Sequence, residues 1–226
     1  DILIFADTLR VLNLSHNNLS ELPAELAQFR VLLSVDLTGN EFSQIPSVLS
    51  VCPQLCTITI SKNKLCHLDA SSLPQTLRAL DLSDNLLEVV PSELGFCKKL
   101  QVLILDNNRL SDLPSEISAC NMLEVVRLSG NRLASVPSWL LMLPKLALIS
   151  FLENPMCASL EAEAVAHLEM AVPCEAWRDF EEGVPLADSG SGVHLRVFRR
   201  RNCGEVPSPN VQAAQSTTDA TATDNI

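Results

Sequence analysis

Residues 100–110 read Leu-Gln-Val-Leu-Ile-Leu-Asp-Asn-Asn-Arg-Leu, an instance of L-x-x-L-x-L-x-x-N-x-L, and the same pattern returns along most of the chain. It starts at Leu9, Leu32, Leu55, Leu77, Leu100, Leu123 and Leu146, at intervals of 23, 23, 22, 23, 23 and 23 residues. The asparagine recurs in every copy, as Asn17, Asn40, Asn63, Asn85, Asn108, Asn131 and Asn154. Seven in-phase copies do not arise by chance, and a period of this length marks a stacked repeat architecture.

The second half of each unit repeats as well. An apolar residue followed by proline stands at Leu22-Pro23, Ile45-Pro46, Val90-Pro91, Leu113-Pro114 and Val136-Pro137, with an aliphatic three positions on at Leu26, Leu49, Leu94, Ile117 and Leu140. The third unit departs: Leu68-Asp69 replaces the pair and one residue is missing.

The spacing has a direct physical meaning. The alternation within L-x-L has period two, so its leucines point to one face of a short strand and the intervening positions to the other. One strand per unit, stacked, gives a parallel sheet. The asparagine turns the chain out of the strand, and its amide can serve backbone groups in its own and in a neighbouring turn. The proline suits an extended or polyproline-like return path, because it fixes φ and donates nothing. No unit buries its own leucines alone, so stability comes from neighbours. Truncating a sheet-side leucine to alanine is expected to cost roughly 2–5 kcal/mol.

On these residues the chain resembles leucine-rich-repeat proteins, specifically the 23-residue type with L-P-x-x-L in the return segment. That type is similar to the intracellular, Ras-signalling-associated group of scaffold proteins. The resemblance covers about residues 1–156 and implies an α/β solenoid, with a parallel sheet on the concave face and short helical or extended segments on the convex face. Its motifs are specific for fold and weakly specific for partner, because function on such a scaffold lies in grafted sites.

Composition narrows the function classes. The 226 residues are 47% hydrophobic but only 4% aromatic, without tyrosine, so the core is aliphatic. A net charge of −11 argues against a general nucleic-acid or anionic-membrane surface. No apolar run reaches the 18 or so residues of a membrane span; the nearest, Trp139–Leu152, is interrupted by Pro144 and Lys145. The chain begins at Asp1 with no visible signal peptide, and Asp1–Thr8 reads as the tail of a preceding repeat, with Leu3 on its aliphatic position. Beyond the last strand, Leu160, Val165, Leu168 and Ala171 fall at helical spacing, which predicts a capping helix within 157–175. Residues 176–226 read as linker and disordered tail, since Glu205–Ile226 has almost no large apolar residue.

Motifs for chemistry are sparse. Cys52, Cys97 and Cys120 share one repeat position and read as buried small hydrophobes. No C-x-x-C occurs, and Cys157, Cys174 and Cys203 form an odd set without the C-x-C of extracellular disulfide caps, which favours a reduced, cytoplasmic protein. The sequons at Asn13 and Asn18 are products of the repeat consensus. His16, His67, His167 and His194 sit in no catalytic motif, Gly190–Val193 reads as a linker, and Arg199–Arg201 as a solvated charge run. No catalytic residue, metal, cofactor or small-molecule substrate is therefore expected.

If the leucines face inward, the positions between them face the concave surface. The mid-strand column reads Asn13, Asp36, Thr59, Asp81, Ile104, Arg127 and Ser150, and the column before it includes Val102 and Val125. With Asp84 and Asp106 these residues predict an acidic stretch beside exposed aliphatics, a pattern suited to a protein-binding surface. Asp36, Thr59, Asp81, Asp84, Val102, Ile104, Asp106, Val125 and Arg127 are accordingly the candidate site for a protein partner. Exchanging Ile104 and Arg127 together is expected to abolish binding with thermal stability nearly intact. Three functions remain open: an intracellular signalling scaffold or adaptor, the recognition domain of a larger enzyme such as a kinase or ubiquitin ligase, and a secreted receptor fragment.

Overall fold

The computed structural model describes residues 2–156 and the pair 170–171. The rest of the expected capping helix, the tail 176–226, and Cys157, Cys174, Cys203, His167, His194, Gly190–Val193 and Arg199–Arg201 lie outside the described residues.

Each repeat contributes one three-residue strand: β1 (Val11–Asn13), β2 (Ser34–Asp36), β3 (Thr57–Thr59), β4 (Ala79–Asp81), β5 (Val102–Ile104), β6 (Val125–Arg127) and β7 (Leu148–Ser150). They pair in sequence order, all parallel, in one sheet. The register follows the repeat period, so Leu12, Val35, Ile58, Leu80, Leu103, Val126 and Ile149 are successive partners. All seven are buried and form the spine of the core. Leu105, Leu110, Leu123 and their equivalents complete it, with Phe29, Phe42 and Phe151 fully buried among them.

The asparagine ladder closes the other side of each turn. Asn63 is typical: its Nδ2 donates to the carbonyls of Ile60 and Ser61 in its own turn and of Leu37 in the preceding one, while its Oδ1 accepts from the Phe42 N–H. The same set recurs at Asn85, Asn108, Asn131 and Asn154. One residue ahead of each ladder asparagine the backbone is left-handed, at His16, Gly39, Lys62, Asp84, Asn107, Gly130 and Glu153. There the chain leaves the sheet, and in six of the seven units the N–H of that residue donates to the next turn. Glycine stands at this position in two units, Gly39 and Gly130, where φ is +67° and +66°.

The return path combines the expected extended and short helical segments. The prolines are polyproline-like, Pro23 at φ −66° and ψ 141°, but each starts a single 3₁₀ turn: Ala24–Gln28, Ser47–Val51, Ser92–Phe96, Ser115–Ala119 and Ser138–Met142. Proline costs nothing as the residue before the first turn, where no intrahelical donor is required. The turn then buries the aliphatic three positions on. In the short third unit the turn contracts to Ala70–Ser72, and Asp69 replaces the proline by accepting from the Ser71 N–H at 2.9 Å.

Gly95 marks a tight approach between consecutive turns. A methyl there would lie 2.4 Å from the carbonyl oxygen of Glu116. Gly→Ala elsewhere stabilises by restricting the unfolded chain, by about 0.4–1 kcal/mol. Here the overlap with backbone outweighs that gain, at roughly 1–3 kcal/mol. Gly95→Ala is therefore expected to lower the melting temperature by a few degrees in a thermal scan; an unchanged or higher midpoint would show that the two turns separate freely.

The expectation of a helix over 157–175 is corrected at its described residues. Met170–Ala171 is a strand, β8, which pairs antiparallel with β7. The physical reason is the edge of β7, whose backbone donors and acceptors need partners, and a strand supplies them where a helix cannot.

Candidate functional site

Register and alternation place the candidate residues. Asp36 on β2, Thr59 on β3, Asp81 on β4, Ile104 on β5 and Arg127 on β6 are consecutive Cα partners, so one column across the sheet's concave face contains all five. Val102 and Val125 pair in the adjacent column. Asp106 lies two residues past Ile104. Asp84 falls outside the columns, at a left-handed turn position, where its Oδ1 accepts from Asn107 Nδ2 at 2.8 Å.

The aliphatics expected to be exposed are buried. Val102, Ile104 and Val125 are 6%, 4% and 6% exposed. Adjacent strands lie only about 4.8 Å apart, so a residue in the middle of a column is flanked closely on both sides. Val11, on the first strand of the sheet, is 37% exposed at the same repeat position. The face thus offers a close-packed floor and not a protruding apolar patch.

Asp36 and Asp81 are held by the turn beyond their own strands, and Asp106 by the neighbouring repeat. Asp36 Oδ1 accepts from the Thr38 N–H at 2.9 Å, and Asp81 Oδ1 accepts from both the N–H and the hydroxyl of Ser83, at 2.9 and 2.7 Å. Asp106 Oδ1 accepts from the Ser129 N–H at 2.8 Å, and its Oδ2 pairs with the Arg127 guanidinium at 2.5 Å. Asp36 Oδ2 is buried and has no hydrogen-bond partner among the described residues.

Burial pushes Asp81 above the ordinary carboxylate range, opposed by the Ser83 bonds and by the charge of Arg127, while Asp84 adds to the rise. Burial likewise raises Asp106, with Arg127 the largest opposing influence and Asp81 reinforcing the shift. The face is therefore an electrostatically coupled set, in which the guanidinium paired with Asp106 also acts through its charge on Asp81. That arrangement corrects the expected consequence of exchanging Ile104 and Arg127. Ile104 is packed, and Arg127 neutralises a carboxylate only 8% exposed in its side chain, so stability cannot stay intact. The pairing was missed because the partners lie 21 residues apart, two short of the repeat period. Ser83 and Ser129, which hold the acids, were likewise not singled out.

Cys52, Cys97 and Cys120 are buried, as their shared position predicts, and the five described cysteines are free thiols. Burial pushes the Cys120 thiol up to about 11, with Cys97 beside it adding to the rise, which makes it a poor nucleophile. No group of three or more metal-ligating side chains occurs among the described residues, and no described helix is long and apolar enough to cross a membrane.

A family model described as leucine rich repeat matches residues 75–133, and a second matches residues 8–29. The chain is 36% identical over 98 residues to a mouse leucine-rich repeat and calponin homology domain-containing protein 1, covering 43% of this chain and 14% of the relative. It is 37% identical over 101 residues to the rice plant intracellular Ras-group-related LRR protein 8, covering 43% and 27%. A chicken Toll-like receptor 2 type-2 is 33% identical over 96 residues, covering 41% and 12%. The matches thus span less than a third of these relatives' own lengths.

Among solved structures, a Leptospira interrogans LRR protein superposes with a TM-score of 0.64 at 30% identity, covering 68% of this chain and 39% of that one. A plant peptide hormone receptor, solved in complex with its peptide, gives 0.53 at 27% identity over 66% and 29%. An internalin C2 from Listeria monocytogenes shares the fold, with a TM-score of 0.60 at 21% identity over 67% and 65%. With one L-x-x-L-x-L-x-x-N-x-L unit behind each of seven parallel strands and an asparagine ladder joining its turns, the chain belongs to the leucine-rich-repeat proteins.

Proposed function

We propose that the chain is a protein-interaction module which takes its partner on the concave face of the sheet, as an intracellular signalling scaffold or adaptor. The observation behind this reading is the contrast between columns. Core positions repeat Leu, Ile or Val, whereas the concave column changes character from strand to strand: Asn13, Asp36, Thr59, Asp81, Ile104, Arg127, Ser150. A face with that variation distinguishes partners by charge and shape. The candidate surface comprises Asp36, Thr59, Asp81, Val102, Ile104, Asp106, Val125 and Arg127, with Asp84 at its rim. A cytoplasmic setting is supported by the free described thiols and by the intracellular rice relative. The reading assigns the chain no catalytic step.

Ala79 tests this surface without breaking a buried pair, because it stands half-buried on the concave side of β4. Ala79→Arg is expected to remove the proteins recovered by the full chain from a cell extract, as identified by mass spectrometry. Ser115→Arg, on an exposed convex turn, is expected to retain them. The reverse pattern would move the binding surface to the convex side.

A second reading is the recognition domain of a larger protein such as an enzyme; the mouse relative, whose name joins leucine-rich repeats to a calponin homology domain, supports the multidomain part of it. Sequencing the full-length transcript separates the two, since a catalytic domain in the same reading frame supports the second.

A further inference from the structure

The column from β2 to β4 has an unusual centre. Asp36 and Asp81 flank Thr59 as Cα partners on either side, which sets the two carboxylates about two strand spacings apart, roughly 9–10 Å. Between them stands one short neutral side chain, half-buried, whose hydroxyl makes no hydrogen bond among the described residues.

Both acids are incompletely served. Asp36 is 3% exposed, and while its Oδ1 is capped by the Thr38 N–H, its Oδ2 has no partner. A buried carboxylate oxygen without a donor is among the less favourable groups a fold can hold. Asp81 places both of its bonds from Ser83 on Oδ1, and its other oxygen has none among the described residues. The one cation of the column, Arg127, is already committed to Asp106 at 2.5 Å.

Resting on the concave-face reading, we propose that the partner presents an arginine side chain to this face, seated over Thr59 between Asp36 and Asp81. A guanidinium is planar, has five donors directed from more than one edge, and sheds water more readily than an ammonium, so it can bond carboxylates on both sides at once. A lysine ammonium is a compact, strongly hydrated charge and serves the pair less well. The chain's net charge of −11 steers a basic partner towards it. Asp36 Oδ2 is buried, so a partner reaches it only after a surrounding side chain moves; its column neighbours are Asn13, which is exposed, and Thr59, which is half-buried. Such hops are fast at exposed side chains.

The test is a random peptide library displayed on phage and panned against the full chain at low ionic strength. Recovered peptides are expected to share an arginine, and a synthetic copy to lose affinity at least about tenfold towards Asp36→Asn and Asp81→Asn. Glu25→Gln, on an exposed convex turn, should leave affinity unchanged. Replacing the peptide's arginine by citrulline probes the same contact with the protein untouched and should cause a similar loss, with lysine intermediate. Recovery of no peptide, or of peptides without a shared basic residue, overturns the proposal. Peptides indifferent to both aspartate variants but displaced by Ala79→Arg overturn it while leaving the concave-face reading in place. Peptides indifferent to Ala79→Arg as well overturn both.

Discussion

An Asn108→Ala chain is expected to lose on the order of 4 kcal/mol of unfolding free energy, whereas Asn17→Ala should lose about 1 kcal/mol or less, although both remove the same consensus residue. Asn108 donates from Nδ2 to the carbonyls of Leu82, Leu105 and Asp106 at 3.0–3.1 Å, and its Oδ1 accepts from the Leu87 N–H at 3.0 Å. It is 7% exposed, so water cannot replace those bonds when the amide is deleted. Each orphaned buried backbone group costs about 1–3 kcal/mol, and more than one is orphaned. Among the described residues Asn17 bonds only the carbonyls of Leu14 and Ser15 in its own turn, and it is exposed. Solvent takes over there.

The loss at Asn108 also falls on the contact between turns. A solenoid is stabilised by nearest-neighbour interfaces, so weakening one in the middle uncouples the two flanks. With Trp177 replaced by Phe, so that Trp139 is the remaining tryptophan, urea unfolding followed by fluorescence and by circular dichroism should therefore cease to coincide in Asn108→Ala. Asn108→Asp is expected to be at least as damaging. It keeps the acceptor for Leu87 but turns a carboxylate oxygen on three carbonyls, which separates hydrogen-bond chemistry from volume. Equal losses at Asn17 and Asn108 would mean that the asparagine acts only through its own turn.

The contrast between those two asparagines marks how far the sequence reaches. Leucine and asparagine columns are chemical necessities of the stacked turn, so strand order, register and core were legible from Leu9 to Asn154 without any coordinate. The direction of the concave side chains was legible for the same reason, since alternation along a strand leaves no choice. Their burial was not. Alternation says which face Val102 points to, but exposure depends on how close the neighbouring columns stand, and only the stacked sheet supplies that. The left-handed position ahead of each asparagine was half-legible. Gly39, Gly130, Asn107, Asp84 and His16 are residue types that enter this region more readily than most, whereas Lys62 and Glu153 hide it. At Met170–Ala171 the spacing of apolar residues suggested a helix because it contains no information about the unpaired edge of β7.

The Arg127–Asp106 pair lay beyond the sequence altogether, and its removal should leave a clear pH signature. Arg127→Met keeps much of the side chain's apolar stem but deletes the guanidinium that faces Asp106 and influences Asp81. Breaking a fully buried pair costs roughly 3–5 kcal/mol; here the Arg127 side chain is 38% exposed, so a loss of about 2 kcal/mol at neutral pH is expected. The sign of the pH dependence follows from Asp106, whose folded-state pKa is already above its ordinary value because burial disfavours the charge. Stability from such a group is fully present below the unfolded pKa, near 4, and is lost as pH rises through the higher folded pKa. Deleting Arg127 removes the largest influence opposing that rise, so the folded pKa of Asp106 climbs further, and that of Asp81 with it. The variant is thus penalised more at pH 7 than near pH 4, because lowering the pH favours the protonated carboxylates that burial already prefers. Urea midpoints of wild type and Arg127→Met measured at pH 7 and at pH 4.5 should converge at the lower value, with less than half of the neutral-pH gap remaining. A gap that does not change with pH would assign Arg127 a packing role in place of an electrostatic one.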